Sequence, residues 1–200
     1  MTQAGKKLST FAQVRALPKI AAVGFCAAML ERQVPNFSLF CQIAEVEGEA
    51  QMQKALMQVW LAYEAQLAKR KISTNFSLLK EKVEDISPDP AEHDNFGVYP
   101  AIDCAMSMIA ALSLLSGEDE QGAVAVSKLS QGSVEAVILA TEGEIDNDQI
   151  KQHPLMQREV AFQQALLAHF SEGSALPEAD TLRQLALADA ATNIGISLED

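Results

Sequence analysis

Apolar residues recur at three- and four-residue intervals through most of this chain, and the strict alternation of a half-buried strand is scarce. That periodicity predicts an all-α fold of about eight helices. A short helix near residues 8–16 breaks at Pro18, and the next segment sets Ile20, Val23, Ala27, Leu30 and Val34 along one stripe. On another side of that segment Ala21, Gly24 and Ala28 leave room for a neighbouring helix to come close. Pro35 is expected to end it, with Asn36 capping a further short helix through "FSLFCQIAE".

From Gly48 to about Arg70 the pattern is amphipathic, with Met52, Leu56, Val59, Tyr63 and Leu67 on one face. Ser73 or Thr74 then opens a shorter helix through Leu78, Leu79 and Val83, and "SPDPAEHDNFG" reads as a loop. Beyond it Pro100 suits a first helical position and Gly117 a stop, and the residues between are apolar on almost every side. A helix of that kind is normally central, which places Ile102, Met106, Ile109 and Leu112 in the middle of the core.

Residues 119–141 carry valines and glycines that would also suit two short strands. Their length without proline, and the row Val126, Leu129, Ser133, Ala136 and Ala140, favour one kinked helix. Pro154 and Pro177 suit helix starts, Gly173 and "TNIGIS" helix ends, and "SLED" a frayed tail.

Composition narrows the setting. With 200 residues and 48% hydrophobic content, the chain can bury one sizeable core as a single domain, 1–200, with short flexible ends. Against 15 basic residues stand 27 acidic ones, and the net charge of −12 repels phosphate backbones and anionic lipid surfaces. Neither nucleic acid nor membrane is expected as a partner. The run "IAAVGFCAAML" follows several basic residues as a signal peptide would, but it is too short to span a bilayer, and Glu31 and Arg32 end it without a cleavage pattern. Cys26, Cys41 and Cys104 form no CxxC pair and sit in apolar stretches, which suits reduced core thiols in the cytoplasm.

Chemistry is sparse. His93, His153 and His169 lie in separate segments without the spacing of a metal site, so no metal is expected. His93 reads as a solvated loop residue. Phosphate cradles and nucleophile elbows are absent, and no cofactor is expected. The informative residues are polar groups inside apolar runs: Asp103 with Ser107 one turn later, the pair Glu31 and Arg32 with Asn36 close by, and Lys128 flanked by Ser127 and Ser130. A buried carboxylate needs a partner, and Arg32, Tyr99 and Lys128 are the candidates for Asp103. Either these groups satisfy one another at helix junctions, or Arg32, Tyr99, Asp103 and Lys128 line a small polar pocket.

At the same residues, "LERQVPNFSLFCQ", "FGVYPAIDCAMS", "AVSKLSQGSVEAVI" and "NIGI" resemble, in order, the YjaG-like family of bacterial proteins, classified as domain of unknown function 416. The resemblance implies a compact, all-helical cytoplasmic domain and no particular activity. Glu31, Arg32, Pro35 and Asn36 match the family's acidic-basic pair and Pro-Asn turn, and Tyr99, Pro100 and Asp103 match its helix start. Leu30 stands where the family is associated with a cysteine, which weakens any role for a thiol there.

Two functions fit. The first is a non-enzymatic interaction or regulatory protein, self-associating as a homodimer or taking an unidentified protein partner. The second is a small-molecule binding protein or enzyme that uses a pocket around Asp103, Tyr99, Arg32 and Lys128. A third idea, that the acidic surface mimics a polyanion, would need a regular row of carboxylates, and none is apparent.

Overall fold

The structure is a computed structural model that describes residues 8–171 and 173–198. Among these it has nine α-helices and no strand, only an isolated antiparallel bridge between Ala191 and Ser197. In chain order they are α1 (Thr10–Arg15), α2 (Lys19–Ala44), α3 (Glu49–Leu67), α4 (Phe76–Glu84), α5 (Val98–Ser116), α6 (Gly122–Glu142), α7 (Asn147–Gln152), α8 (Pro154–His169) and α9 (Ala179–Leu187). The all-α expectation holds, and residues 122–142 form one helix rather than a hairpin.

The largest departure is α2, which runs straight through Pro35 instead of ending there. Asn36 is therefore a helix-interior residue and not a cap. An interior proline costs roughly 3 kcal/mol, since it withholds an N–H and crowds the preceding turn. Against that, each large apolar side chain buried gains about 1.5–3 kcal/mol, and Phe25, Met29, Leu30 and Phe37 on this helix are all buried. Burial wins. One residue beyond the Glu31 carbonyl, which Pro35 leaves without its helical partner, the Arg32 carbonyl accepts a hydrogen bond from the backbone N–H of Asn193 at 3.3 Å.

Helix α2 packs against α3, α5, α6, α8 and α9 and shares the centre of the molecule with α5. Close approach to α3 occurs where the small residues suggested it: a Cβ on Gly24 would lie 2.6 Å from the Tyr63 ring. On α5 the buried face is Ala101, Cys104, Ala105, Met108 and Leu112. Of the residues expected inside, Met106 is exposed and Ile102 and Ile109 are half-buried. A helix apolar all round carries no moment to announce its inner face, and here the small side chains decide it by permitting contact. Gly122 shows the same preference, since a Cβ there would sit 2.3 Å from the carbonyl oxygen of Ala110 on α5.

By length and composition α5 and α6 could cross a membrane, with mean hydropathies of 1.7 and 1.2, but in this fold each turns its inner face to the protein core. A smaller apolar cluster of Val134, Ile138, Ile150 and Met156 joins α6, α7 and α8. Helix α7, with its capping box between Asp146 and Gln149, is absent from the periodic reading. Other starts shift slightly. Asn75 caps α4 in place of Ser73 or Thr74, Val98 rather than Pro100 begins α5, and Glu178 rather than Pro177 flanks α9. The "SLED" tail is tied down at its first half, where Ser197 makes the bridge and Leu198 N–H donates to the Ala190 carbonyl at 2.7 Å. Short flexible ends were expected, and residues 1–7 and 199–200 lie outside the described residues.

Candidate functional site

The polar residues buried in this fold form a seam beneath α2. Arg32 of α2 donates through Nη1 to Glu159 Oε2 of α8 at 3.1 Å, and the two side chains are 1% and 0% exposed. The other oxygen of Glu159 accepts from the Ser130 hydroxyl at 2.7 Å and from the Gln163 amide at 2.9 Å. Gln163 in turn accepts from Ser127 at 2.6 Å and from Gln131 at 3.1 Å. The seam continues toward the C-terminal turn: Asn193 donates to the Ser130 oxygen at 3.1 Å, and Asn36 donates to Asn193 Oδ1 at 2.8 Å.

Two buried atoms of this seam lack a hydrogen-bond partner among the described residues, Asn36 Oδ1 and Arg32 Nε, beside Arg32 Nη2, which has an ion-pair contact with Asp189 at 3.6 Å. The guanidinium carbon of Arg32 lies 4.1 Å from the centroid of the Phe162 ring. Burial pulls the Arg32 guanidinium below its usual value, and the Glu159 carboxylate opposes that shift. Asp189 is held mainly by Arg158, which also donates to the carbonyls of Ala191 and Thr192 and so fixes the C-terminal turn against α8.

The residues expected to form one pocket are dispersed. Arg32 and Asn36 do belong to the seam. Glu31 turns the other way and accepts from the Trp60 indole at 2.6 Å. Asp103 takes its hydrogen bond from Ser133 of α6 at 2.5 Å, not from Arg32, Tyr99 or Lys128, and burial raises its carboxyl while Ser133 opposes the rise. Ser107, expected beside Asp103, donates to Gln33 of α2. Tyr99 is exposed and packs its ring on Phe96. Lys128 is exposed, with its ammonium 5.7 Å from the Phe11 ring, at the edge of a cleft of about 660 Å³ between α6, α7 and α8. His93, expected in solvent, sets its ring edge-on to Phe40 at 4.9 Å.

Glu159, Gln163 and Asn193 were not anticipated. For the first two a signal existed, because Met156, Glu159, Gln163 and Leu166 share the inward stripe of α8. A polar residue on an apolar stripe is the mark of a buried partner.

The three cysteines and Tyr63 are enclosed as well. Cys26, Cys41 and Cys104 are free and buried, and burial pushes each thiol up, away from the reactive thiolate. Tyr63 donates to the Pro177 carbonyl at 2.6 Å, and burial, with Glu178 nearby, pushes its hydroxyl up to about 12. Among the described residues no group of three or more His, Cys, Asp or Glu side chains is placed to hold a metal ion.

An open concavity reaches the seam at Asn36. A groove of about 360 Å³ runs between the C-terminal half of α2, the turn before α5, the end of α6 and the 194–196 turn. Leu39, Ile43, Phe96, Pro100 and Ile194 are among its walls, Asn36 lines it, and none of its lining residues is charged.

The family profile described as "Protein of unknown function (DUF416)" matches residues 9–197. An uncharacterised protein of Haemophilus influenzae is 36% identical over 119 residues, so the chain spans 59% of that relative's length and 59% of its own. The uncharacterised protein YjaG of Escherichia coli is 33% identical over 140 residues, covering 68% of this chain and 69% of that one. A crystal structure of a DUF416 family protein from Shewanella baltica superposes with a TM-score of 0.85 at 28% identity, covering 96% of this chain and all of the other. The motifs around Arg32, Asp103, Ser130 and Asn193 thus sit within a matched region that spans nearly the whole fold, and the chain belongs to the DUF416 family.

Proposed function

We propose that this protein acts by binding rather than by catalysis, and that the uncharged groove beside Asn36 is its working surface. One observation carries the reading. The ionic groups beneath α2 are sealed against one another, whereas the groove leaves Leu39, Ile43 and Phe96 facing solvent with no charge among its lining residues. Such a surface suits an apolar occupant. We place the protein in the cytoplasm, a reading supported by its free, buried cysteines and by a net charge of −12, which also disfavours nucleic acid and anionic membranes as partners.

The test is a titration of the full chain with the uncharged apolar fluorophore N-phenyl-1-naphthylamine. Saturable binding is expected, weakened about tenfold or more by Ile43→Lys, which sets a charge on the groove wall. Because Ile43 is 65% exposed, that substitution should leave the melting temperature unchanged. Equal binding by both proteins would overturn the reading.

A second reading is self-association. The apolar surface continues from Phe96 onto Tyr99 and Met106, which face outward on α5 and are 51% and 47% exposed. Sedimentation velocity should then show a dimer that Tyr99→Ser weakens, and a monomer at every concentration would remove it.

A further inference from the structure

We propose that the cleft between α6, α7 and α8 is a second ligand site, which takes a small amphiphilic carboxylate with its aliphatic body along the cleft and its anionic end at Lys128. The site is separate from the groove beside Asn36 and does not rest on that groove being the working surface.

A glycine is the first pointer. Gly24 and Gly122 are bare because a neighbouring helix lies against them. Gly132 has no such reason. It sits in the interior of α6, where only proline is a less favourable residue, yet a Cβ built there would meet nothing within 4 Å. It lines the cleft. The helix thus gives up stability for a space that none of the described chain fills.

The walls define what would fill it. Ile150 and Met156 are buried at the base, with Phe11 and Val160 half-buried beside them. Ser127 bonds to Gln163 and Ser130 to Glu159, so α6 and α8 run antiparallel and the cleft lies lengthwise between them, from Phe11 of α1 to Ile150 of α7. Its volume, about 660 Å³, falls in the range of small-molecule sites, roughly 300–1,000 Å³.

Most polar groups of the lining are occupied or neutral. Gln131 donates to Gln163 at 3.1 Å, and Lys151 pairs with Asp148 at 3.4 Å. Asn147 and Gln157 are exposed amides at the rim. Two charges remain, Lys128 and Glu135, both exposed and neither in an ion pair among the described residues. They stand seven residues apart on α6, about 10 Å along its axis. The Lys128 ammonium has the Phe11 ring 5.7 Å away and no carboxylate. A cation beside an apolar floor satisfies both ends of an amphiphile at once, and solvent reaches it freely. Glu135 repels a second negative charge farther along, which limits the ligand to a monoanion. With two lysines and one glutamate, the lining also reverses the sign of a chain whose net charge is −12.

Isothermal titration of the full chain with octanoate, 1-octanol and octylammonium tests the proposal. Octanoate should bind at one saturable site, and the other two about tenfold more weakly or worse, although octanol is the more apolar. Lys128→Met, which keeps an unbranched side chain without its charge, should weaken octanoate about tenfold and leave octanol unchanged. Gly132→Leu should fill the cleft and abolish octanoate binding while raising the melting temperature, since leucine favours a helix. Ile43→Lys, in the groove, should bind octanoate as the natural protein does. Absence of octanoate binding, equal binding of all three probes, or affinity unchanged by Lys128→Met or by Gly132→Leu would overturn the proposal. So would loss of octanoate binding in Ile43→Lys, which would assign the molecule to the groove.

Discussion

Beneath α2, Arg32 and Glu159 face each other almost without solvent, and the Glu159 carboxylate is held by Ser130 and Gln163, while Arg32 keeps two buried nitrogens without a hydrogen-bond partner among the described residues. Past Asn36, the groove has mainly apolar walls, both aliphatic and aromatic, and no charge. One residue borders both regions, and the contrast shows how a buried charge propagates order. The carboxylate sets the hydroxyl, the hydroxyl sets one amide, and that amide sets the next.

The strongest way to break this contrast is to unpair the charge. Arg32→Ala should cost about 3–5 kcal/mol, read from the urea midpoint, because Glu159 is left buried alone. The joint change Arg32→Met with Glu159→Leu should recover most of that loss, since two apolar side chains need no counter-charge. A double variant as unstable as the single one would mean that the ion pair itself, not the orphaned charge, is what matters. An intermediate effect is expected from Ser130→Ala, about 1–3 kcal/mol, as both Glu159 and Asn193 lose a partner. It should also release the Asn36 and Asn193 amides to reorient, visible as shifted side-chain NH2 resonances. Unmoved resonances would disconnect the seam from the groove.

The smallest effect belongs to Asp103, where burial is partial and Ser133 is the hydrogen-bonding partner. Its folded pKa is raised, so the folded state holds the proton longer than the unfolded chain does. Its contribution to stability is therefore complete below the unfolded value near 3.9 and is lost as pH rises through the higher folded value. Asp103→Asn should gain on the natural protein across that climb and run parallel to it at higher pH. A variant that instead loses ground to the natural protein as pH rises would reverse the sign of the shift.

Helical spacing made the elements readable, and Gly24 made one close contact readable, because both are local properties of the chain. Arg32 and Asn36 could be singled out for a similar reason, each interrupting an apolar run. Their partners could not. Which acid faces Arg32 depends on how α2 and α8 meet, and on local grounds Arg32, Tyr99 and Lys128 were all candidate partners for Asp103. Pro35 shows the limit most plainly: its usual effect on a helix is real, but the burial of most large side chains on α2 outweighs it. Asn193 looked like a helix stop and turned out to sit in a turn that caps a carbonyl on a distant helix.

The separation of 127 residues between Arg32 and Glu159 bears on biosynthesis. At about 5–20 residues per second, a ribosome needs roughly 6–25 s to deliver the acid after the arginine has been joined. Throughout that interval the nascent helix carries a cation that it cannot enclose. Closure of the centre must therefore wait for the final segments, and a message truncated before α8 would yield a chain with its arginine still seeking water.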